Sequence, residues 1–237
     1  MNNIAVRFYI RFIIFSFVFY TTFVTSAKAM AEDKVVIGYF STENQETFEK
    51  NVKPAFERLN GACKKCEIMN LTPYDEKGVY SEKDLLEKLK NSPPEISFYF
   101  FSWNKKATDR NKELISALGE KIEGGKLVIA PTGQAAEGEP GLPLSRTLMG
   151  QTKDVIIIGE IIGNERMLPQ SYFGPEMLTA LRAPKDLAVQ GMGPMYFVGR
   201  LANNWSKRKP EEWLQHFKTK KIKSRKIWLD ADDLFGR

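Results

Sequence analysis

The chain has 237 residues, of which 43% are hydrophobic and 27% are charged, with a formal net charge of +6. This composition is that of a globular protein and excludes collagen-like, low-complexity and disulfide-scaffold classes. The chain contains one histidine, His216, and two cysteines. A Ser-His-Asp or Cys-His catalytic unit would have to use that histidine, and a metal site built from several histidines is excluded. We predict no metal ion or other cofactor.

Residues 1–29 have the pattern of a signal peptide. Arg7 and Arg11 precede a largely apolar run at residues 12–24, and residues 27–29 (AKA) form a small-x-small cleavage site. The run is shorter than the roughly 20 residues that a membrane-spanning helix needs. We therefore predict cleavage near Ala29 and export to the periplasm or the medium. An uncleaved membrane anchor is the alternative.

Five strands and three intervening helices are predicted from the hydrophobic pattern that follows. The strands are residues 34–40, 67–71, 95–101, 126–130 and 155–162. The helices run from Thr42 to Asn60, from Ser81 to the residues before Pro93, and from Thr108 to Gly124. Pro54 lies inside the first helical pattern and predicts a kink or a late start. A further helix around His216 and a last strand at residues 226–229 complete the prediction.

The alternation of strands and helices predicts βαβ crossovers around a parallel sheet. The strand segments are apolar almost throughout rather than at alternate positions, as expected of a sheet that is covered on both faces. The sequence therefore predicts an α/β fold with three layers, α/β/α, and a mainly parallel sheet.

Three segments, taken in order, resemble the subtilisin-like serine peptidases, or subtilases. Residues 125–134 (GKLVIAPTGQ) resemble the family's strand that leads into Ala-Ala-Gly-Asn. Residues 155–184 resemble its next strand, a hairpin, a Ser-x-x-Gly-Pro turn and an Ala-Pro-Gly segment. Residues 190–202 (QGMGPMYFVGRLA) resemble the Gly-Thr-Ser nucleophile turn and the helix behind it. The resemblance implies that residues 30–204 form a subtilisin-like domain, with residues 205–237 as a C-terminal extension packed on it or beside it.

The catalytic residues of the family have no counterparts at the matching positions. A subtilase has an Asp at the end of its first strand, where this chain has Tyr39 or Phe40, and a His at the start of a core helix, where residues 41–61 contain none. Gly193 stands in the place of the nucleophilic Ser, and Gln134 in the place of the Asn that stabilises the oxyanion. Loss of one triad member lowers activity by orders of magnitude. The resemblance therefore implies a pseudopeptidase, with the fold but not the activity.

A residual or unconventional serine-type peptidase is the alternative. Its nucleophile would be a loop hydroxyl such as Ser145 or Ser171, although such hydroxyls are usually turn or capping residues. Its base would be His216, which lies beyond the subtilisin-like segments, or a lysine, since a Ser-Lys pair needs no histidine. Nothing in the spacing selects such a pair.

Cys63 and Cys66 form a Cys-x-x-Cys pair. In an exported protein we predict a structural disulfide between them. A thiol–disulfide protein is the alternative, because the two intervening lysines favour the thiolate, but the pair follows a helix end instead of preceding a helix. Glu67 after Cys66 excludes attachment of a c-type haem.

A retained peptide groove is expected where the aromatic strand 95–101 ends. In the arrangement that the resemblance implies, this strand ends beside the substrate cleft. Phe98 and Phe100 are expected in the core of the sheet, and Trp103, after the strand, is expected to form a wall of the groove. The other candidate groove residues are Ser102 beside it and Gly133, Gln134 and Gly191 on the opposite rim. The predicted function is that of an exported, non-catalytic protein with a binding or regulatory role towards a peptide or protein partner.

The C-terminal extension is strongly basic. Its basic residues between Trp205 and Lys226 are Lys207, Arg208, Lys209, Lys218, Lys220, Lys221, Lys223, Arg225 and Lys226, against Glu211 and Glu212. Most clusters of this kind are plain solvated faces, and that is the first interpretation; an anionic surface or an acidic partner is the alternative. No nucleic-acid partner is expected, because an exported protein rarely meets nucleic acid.

Overall fold

The computed structural model describes residues 34–59, 65–162, 167–182, 192–223 and 229–236. Within these ranges six strands form one sheet in which every neighbouring pair is parallel. The strands are β1 Val35–Phe40, β2 Cys66–Asn70, β3 Ile96–Phe101, β4 Leu127–Pro131, β5 Ile156–Glu160 and β6 Met177–Leu181. Their spatial order is β2-β1-β3-β4-β5-β6. The predicted α/β fold with a parallel sheet is therefore confirmed.

Helices separate most of the strands and follow the last one. They are α1, which runs through Gln45–Thr47, Phe48–Val52 and Lys53–Leu59, then α2 Leu85–Lys90, α3 Lys112–Glu123, α4 Leu148–Gln151, α5 Met192–Asn204, α6 Pro210–Lys223 and α7 Ala231–Phe235. Within the described ranges, no helix has the length and apolar character required to cross a bilayer.

Both faces of the sheet are buried. Successive strand residues face opposite sides, so Tyr39 of β1 lies in the core under α1, α5, α6 and α7, whereas Phe40 lies in the core under α2, α3 and α4. In β3, Phe100 lies on the same face as Tyr39, and Phe101 lies on the same face as Phe40. Phe98 and Phe100 are buried, as expected from the sequence. The three predicted layers are present.

The described part of the C-terminal extension belongs to the same core. Trp213 and Phe217 of α6 and Phe235 of α7 are buried, and Phe197 of α5 lies 5.3 Å, between ring centroids, from both Phe217 and Phe235. These aromatic contacts bury large apolar surfaces, which makes them a substantial part of the packing energy. α6 and α7 therefore pack on the same core as α5 over these residues.

The first helix is irregular where Pro54 predicts an interruption. Phe48–Val52 form a π-helical turn, which the Lys53 N–H closes by donating to the Phe48 carbonyl. Pro54 then lies in the first turn of the following α-helical stretch, where its missing N–H costs least. The wider turn thus accommodates the proline inside a continuous helix.

The sequence pattern does not predict β6, α4 or α7, and the strand ends differ slightly from those expected. β2 is Cys66–Asn70 instead of 67–71, and β5 is Ile156–Glu160 instead of 155–162. The residues of β6 (MLTAL) are mostly good helix formers, so pairing with β5 decides their conformation. Of the predicted last strand, only Leu229 lies in the described ranges. Leu229 is not part of a strand; its N–H and carbonyl bond to the Thr179 hydroxyl at 2.8 and 2.7 Å.

Candidate functional site

A cleft lies at the carboxyl ends of the central strands. The order in which strands are added to the sheet reverses at β1, because β2 lies on one side of β1 and β3 to β6 follow on the other. Parallel α/β sheets bind ligands at the carboxyl ends of their strands beside such a switch point. The cleft measures about 260 Å³. Its lining comes from residues 102–104 after β3, 131–134 at the end of β4, Ile158, Glu160 and Ile162 in or after β5, and Leu168, Ser171 and Pro194.

Most of the residues that the sequence indicates for a peptide groove meet in this cleft. Ser102 and Trp103 line it from the segment after β3, and Gly133 and Gln134 line it from the segment after β4. Gly191 lies outside the described residues. The structure therefore brings four of the candidate residues together, and their contact with a peptide stays a prediction.

Gly133 allows the segment after β4 to lie close to the segment after β3, and these two segments line the cleft. Its φ is +78°, and a Cβ at this position would lie 2.4 Å from the Asn104 carbonyl oxygen. Glycine suits a left-handed backbone at such a close approach because it has no Cβ. The Tyr172 N–H donates to the Gly133 carbonyl (3.0 Å) and the Ala135 N–H donates to the Gln170 carbonyl (2.9 Å). The rim after β4 is thereby tied to the segment that precedes β6.

Asn104 links the segments that line the cleft, and the sequence does not reveal this role. Its side chain is buried, and its Nδ2 donates to the Thr132 carbonyl (2.9 Å) and to the Thr147 hydroxyl (3.1 Å). Its Oδ1 accepts the Met149 N–H at 3.1 Å. One amide thus joins the loop after β3, the end of β4 and the start of α4. An Asn after a strand is a common turn residue, so the pattern alone does not distinguish it.

Trp103 forms a wall of the cleft and also packs on the core. The indole is half-buried, and it meets Phe101 edge to face with ring centroids 5.6 Å apart. The Lys105 ammonium lies 5.5 Å from the centroid of the indole and pairs with Glu82. The Trp103 Nε1 is buried and has no hydrogen-bond partner in the described part of the chain. The residue is therefore available to a ligand through only part of its surface.

Tyr39 is, with Phe40, one of the two residues at the place where the resemblance expects a catalytic Asp. Its ring is buried between Phe48 (5.4 Å) and Phe100 (5.8 Å). Burial raises the pKa of the phenol, and hydrogen bonds with the Ser102 and Ser41 side chains oppose that rise. A phenol with a raised pKa stays neutral, so it does not supply the negative charge that orients a catalytic histidine.

Glu160 contacts Gly193, the residue that the sequence resemblance matches to the nucleophile. The N–H of Gly193, in the first turn of α5, donates to Glu160 Oε1 at 3.0 Å. In the family arrangement, main-chain N–H donors beside the nucleophile stabilise an oxyanion. In this chain a carboxylate of the protein itself accepts that N–H. The sequence pattern assigns Glu160 only to a strand and does not indicate this contact.

The other candidate catalytic groups do not form a unit in the described residues. Ser171 lines the cleft, whereas Ser145 is exposed in a 3₁₀ turn and is not part of the lining. The described lining residues include no histidine and no lysine. A Ser-His or Ser-Lys pair is therefore not assembled among them.

His216 lies in the interface between α6 and α7. Its Nε2 is 2.7 Å from the Leu234 carbonyl, so this nitrogen carries the proton. Burial lowers the pKa of the imidazole, with smaller contributions in the same direction from Arg208 and Lys220, and the bond to Leu234 opposes them. The ring also meets Trp213 at 5.8 Å between centroids. These contacts give the histidine a structural role.

We expect His216 to make the protein less stable in mild acid. The folded-state pKa is lower than the ordinary value of about 6.5, so the unfolded chain takes up the proton first. This contribution to the free energy of unfolding is complete above about pH 6.5 and decreases as the pH falls towards the folded-state pKa. Urea unfolding at several pH values measures it, with His216→Gln as the comparison. Identical pH profiles for the two proteins would show that His216 is not responsible.

Several of the basic residues of the extension are engaged within the protein. The Lys218 ammonium pairs with Asp154 at 2.5 Å, and that of Lys221 donates to two main-chain carbonyls at the start of β6. The Arg208 guanidinium lies 4.8 Å from the centroid of Trp213. Lys207, Lys209 and Lys220 are exposed. An anionic surface or partner for the segment 207–226 stays a prediction.

The cysteine pair is described only in part. Cys66 begins β2 and is half-buried against the core, whereas Cys63 lies outside the described residues. The structural disulfide therefore stays a prediction, as does the signal peptide, which also lies outside. Within the described ranges, no group of three or more His, Cys, Asp or Glu side chains is placed to hold a metal ion.

Solved protease structures resemble this fold. No protein-family model matches the chain, and no curated protein matches its sequence. A lanthipeptide protease is 10% identical with a TM-score of 0.60, over 85% of this chain and 86% of that chain. A cold-adapted subtilisin-like serine proteinase is 11% identical with a TM-score of 0.56, over 79% and 83%. A protease from Pseudoalteromonas arctica is 10% identical with a TM-score of 0.56, over 85% and 89%. At these identities the likeness concerns the fold, and the chain has the fold of the subtilisin-like proteases.

Proposed function

We propose that this chain is an exported, non-catalytic protein that binds a peptide segment of a partner in the cleft at the carboxyl ends of β3, β4 and β5. The proposal combines the signal-peptide pattern with a subtilisin-like fold whose matching positions carry none of the catalytic side chains. The peptide would lie along the cleft between Trp103 on one side and Gln134 on the other. In this proposal the protein binds or regulates its partner and does not hydrolyse the bound peptide.

The contact between Glu160 and Gly193 carries this proposal. It places a carboxylate on the N–H that a peptidase would use beside its nucleophile. A negative charge at this point opposes the negative charge that develops on a tetrahedral intermediate, because like charges in a partly desolvated site repel strongly. The cleft beside this contact still has a volume of about 260 Å³, which leaves space for part of a ligand.

Exposed apolar side chains beside the cleft support a binding role. Phe173 is 57% exposed and Ile162 is 39% exposed. Phe173 lies two residues after Ser171, which lines the cleft, and Ile162 lines the cleft directly. Apolar side chains that stay in water beside a concave surface are typical of sites that contact a partner.

Labelling with a fluorophosphonate tests the non-catalytic part of the proposal. Only an activated hydroxyl reacts with this reagent, so we expect no labelling of the exported protein under conditions that label an active subtilisin-like protease. Hydrolysis of casein should also be absent. Labelling that is lost in Ser102→Ala or Ser171→Ala would instead favour the unconventional serine-type peptidase.

Trp103→Ala is expected to weaken peptide binding about 30-fold, or about 2 kcal/mol, as for an aromatic hot spot. The probe is the tightest binder selected from a library of capped hexapeptides on the immobilised protein, with affinity measured by fluorescence anisotropy. Trp205→Ala is the matched control, because Trp205 packs on Phe98 at 4.9 Å and does not line the cleft. It should lower the melting temperature and leave the affinity unchanged. Unchanged affinity in Trp103→Ala, with a large loss of stability, would assign Trp103 to packing alone.

A further inference from the structure

We infer that a second cavity, at the amino ends of β5 and β6, binds a small zwitterion with an apolar body, such as a free amino acid with the side chain of leucine. The cavity measures about 270 Å³. It lies away from the cleft, because the strands are parallel and the cleft is at their carboxyl ends. The inference therefore goes beyond the proposed function and does not assume that a peptide enters the cleft.

The cavity is enclosed by α4 and the turn after it, by the first residues of β5 and β6, and by α6. The Lys218 ammonium of α6 pairs with the Asp154 carboxylate of that turn at 2.5 Å. Asp154 has a φ of +67°, a left-handed conformation that aspartate tolerates better than most residues. The ion pair joins α6 to the turn that precedes β5. The cavity is therefore formed within this chain, between elements that are bonded to each other.

Glu176 supplies the anionic group of the cavity. It lines the cavity and is half-buried, and its Oε2 is buried with no hydrogen-bond partner in the described part of the chain. Gly174 makes room for this oxygen, since a Cβ at position 174 would lie 2.3 Å from it. Buried carboxylate oxygens are normally hydrogen-bonded, so this one calls for a partner. A donor bound in the cavity, above all an ammonium group, would give the carboxylate that partner.

Lys221 supplies the cationic group. Its ammonium donates to the Pro175 and Met177 carbonyls, and an ammonium has three donors, so one remains. Burial lowers the pKa of Lys221, and the charge of Glu176 opposes that decrease, so the two groups attract each other. They nevertheless do not form an ion pair in the described residues. A ligand that carries both a carboxylate and an ammonium group would bridge them.

The remaining charges of the described lining do not change this complementarity. Lys218 and Asp154 neutralise each other, and Lys153 is exposed, where solvent screens its charge. The cation and the anion that a ligand meets inside the cavity are therefore those of Lys221 and Glu176. A zwitterion matches both, whereas a simple amine or a simple carboxylic acid leaves one of them without a partner.

The walls of the cavity are largely apolar and limit the size of the ligand. They include Met149, Ile157, Leu178, Leu214 and Phe217. The volume of about 270 Å³ is below the roughly 300–1,000 Å³ of pockets for drug-sized ligands. A single amino acid is of this smaller class, and a branched aliphatic side chain would bury its surface against these walls.

Four small molecules test the inference on the exported protein. They are L-leucine, 3-methylbutylamine, which lacks the carboxylate, 4-methylpentanoic acid, which lacks the ammonium group, and L-alanine, which lacks most of the apolar body. Titrations followed in two-dimensional ¹H–¹⁵N spectra measure the affinities, including weak ones. We expect leucine to bind at least about tenfold more tightly than each of the other three, because each loses a charge-assisted hydrogen bond or most of the apolar contact.

Glu176→Gln removes the negative charge and keeps the size of the side chain. We expect it to lower the affinity for leucine at least about tenfold. The affinity for 4-methylpentanoic acid should not fall, because that ligand has no ammonium group for Glu176. Glu113→Gln is the matched control, because Glu113 is exposed on α3 and does not line the cavity. It should bind leucine as the unmodified protein does.

Several results would overturn the inference. They are the absence of saturable leucine binding at about 10 mM, equal or tighter binding of any of the other three molecules, and a leucine affinity that is unchanged in Glu176→Gln. None of these results bears on the peptide cleft, which the library-selected hexapeptide tests separately. Should Glu176→Gln not fold, the comparison of the four molecules on the unmodified protein still decides.

Discussion

Gly193→Ser is expected to lower the free energy of unfolding by about 2 kcal/mol and to leave the protein without peptidase activity. A Cβ at this position would lie 2.5 Å from the Leu181 carbonyl oxygen and 3.3 Å from Glu160 Cγ. The first contact is with the main chain of β6, so rotation of a side chain does not relieve it. Pro194 adds a second conflict, because a Cβ on the residue before a proline disfavours helical backbone.

The new hydroxyl would also lack a base. Residues 41–61 contain no histidine, and the single histidine of the chain, His216, bonds to the Leu234 carbonyl. A serine without a positioned base is a weak nucleophile. Fluorophosphonate labelling and casein hydrolysis, measured on the purified variant, test this expectation. Turnover by the variant that the unmodified protein lacks would show that the site retains a catalytic environment.

Gly199→Ala is the matched control for the steric argument, because it changes a glycine of the same helix where space exists. A Cβ at position 199 would meet the Leu59 carbonyl oxygen at 3.5 Å, an ordinary van der Waals distance. Alanine favours a helix over glycine by about 1 kcal/mol, so we expect unchanged or higher stability. Thermal unfolding followed by circular dichroism compares the variants. Equal losses of stability in both would exclude the Leu181 contact as the cause.

The strands and layers are predictable from the sequence because they depend on local hydrophobic runs. The segments around Tyr39, Phe100 and Ile129 are apolar at successive positions, and a run of this kind is stable only with both faces of the sheet covered. The location of the cleft follows as well, since the resemblance places Ser102 and Gly133 after neighbouring strands. Parallel strands bring such residues to one edge of the sheet.

The contacts within the cleft are not predictable in this way, because they join residues that are distant in the chain. Glu160 lies in the run IIIGEII and is assigned to a strand, and its partner Gly193 is 33 residues away. Asn104 accepts from Met149 across 45 residues. Each contact exists only when two elements have been packed together. The resemblance marks the place of Tyr39 or Phe40 and does not reveal that the Tyr39 ring packs between Phe48 and Phe100.

Asn104→Ala is expected to lower the free energy of unfolding by about 3 kcal/mol, since removal of one partner leaves buried polar groups unsatisfied at a cost of roughly 1–3 kcal/mol each. The Thr132 carbonyl and the Met149 N–H lose this amide as a partner. The Thr147 hydroxyl is less affected, because it also donates to the Leu144 carbonyl at 2.8 Å and accepts the Gly150 N–H at 3.1 Å. Urea unfolding measures the loss.

The same substitution should weaken the binding of the library-selected hexapeptide, because Asn104 joins the two loops that face each other across the cleft. Without its amide, residues 102–104 are no longer bonded through that side chain to the end of β4, so the spacing that Gly133 permits is less well maintained. Asn203→Ala is the matched control, since Asn203 is exposed on α5 and does not line the cleft. It should change stability by less than about 0.5 kcal/mol and leave affinity unchanged. A stability loss in Asn104→Ala with full affinity would mean that the amide supports the fold without shaping the cleft.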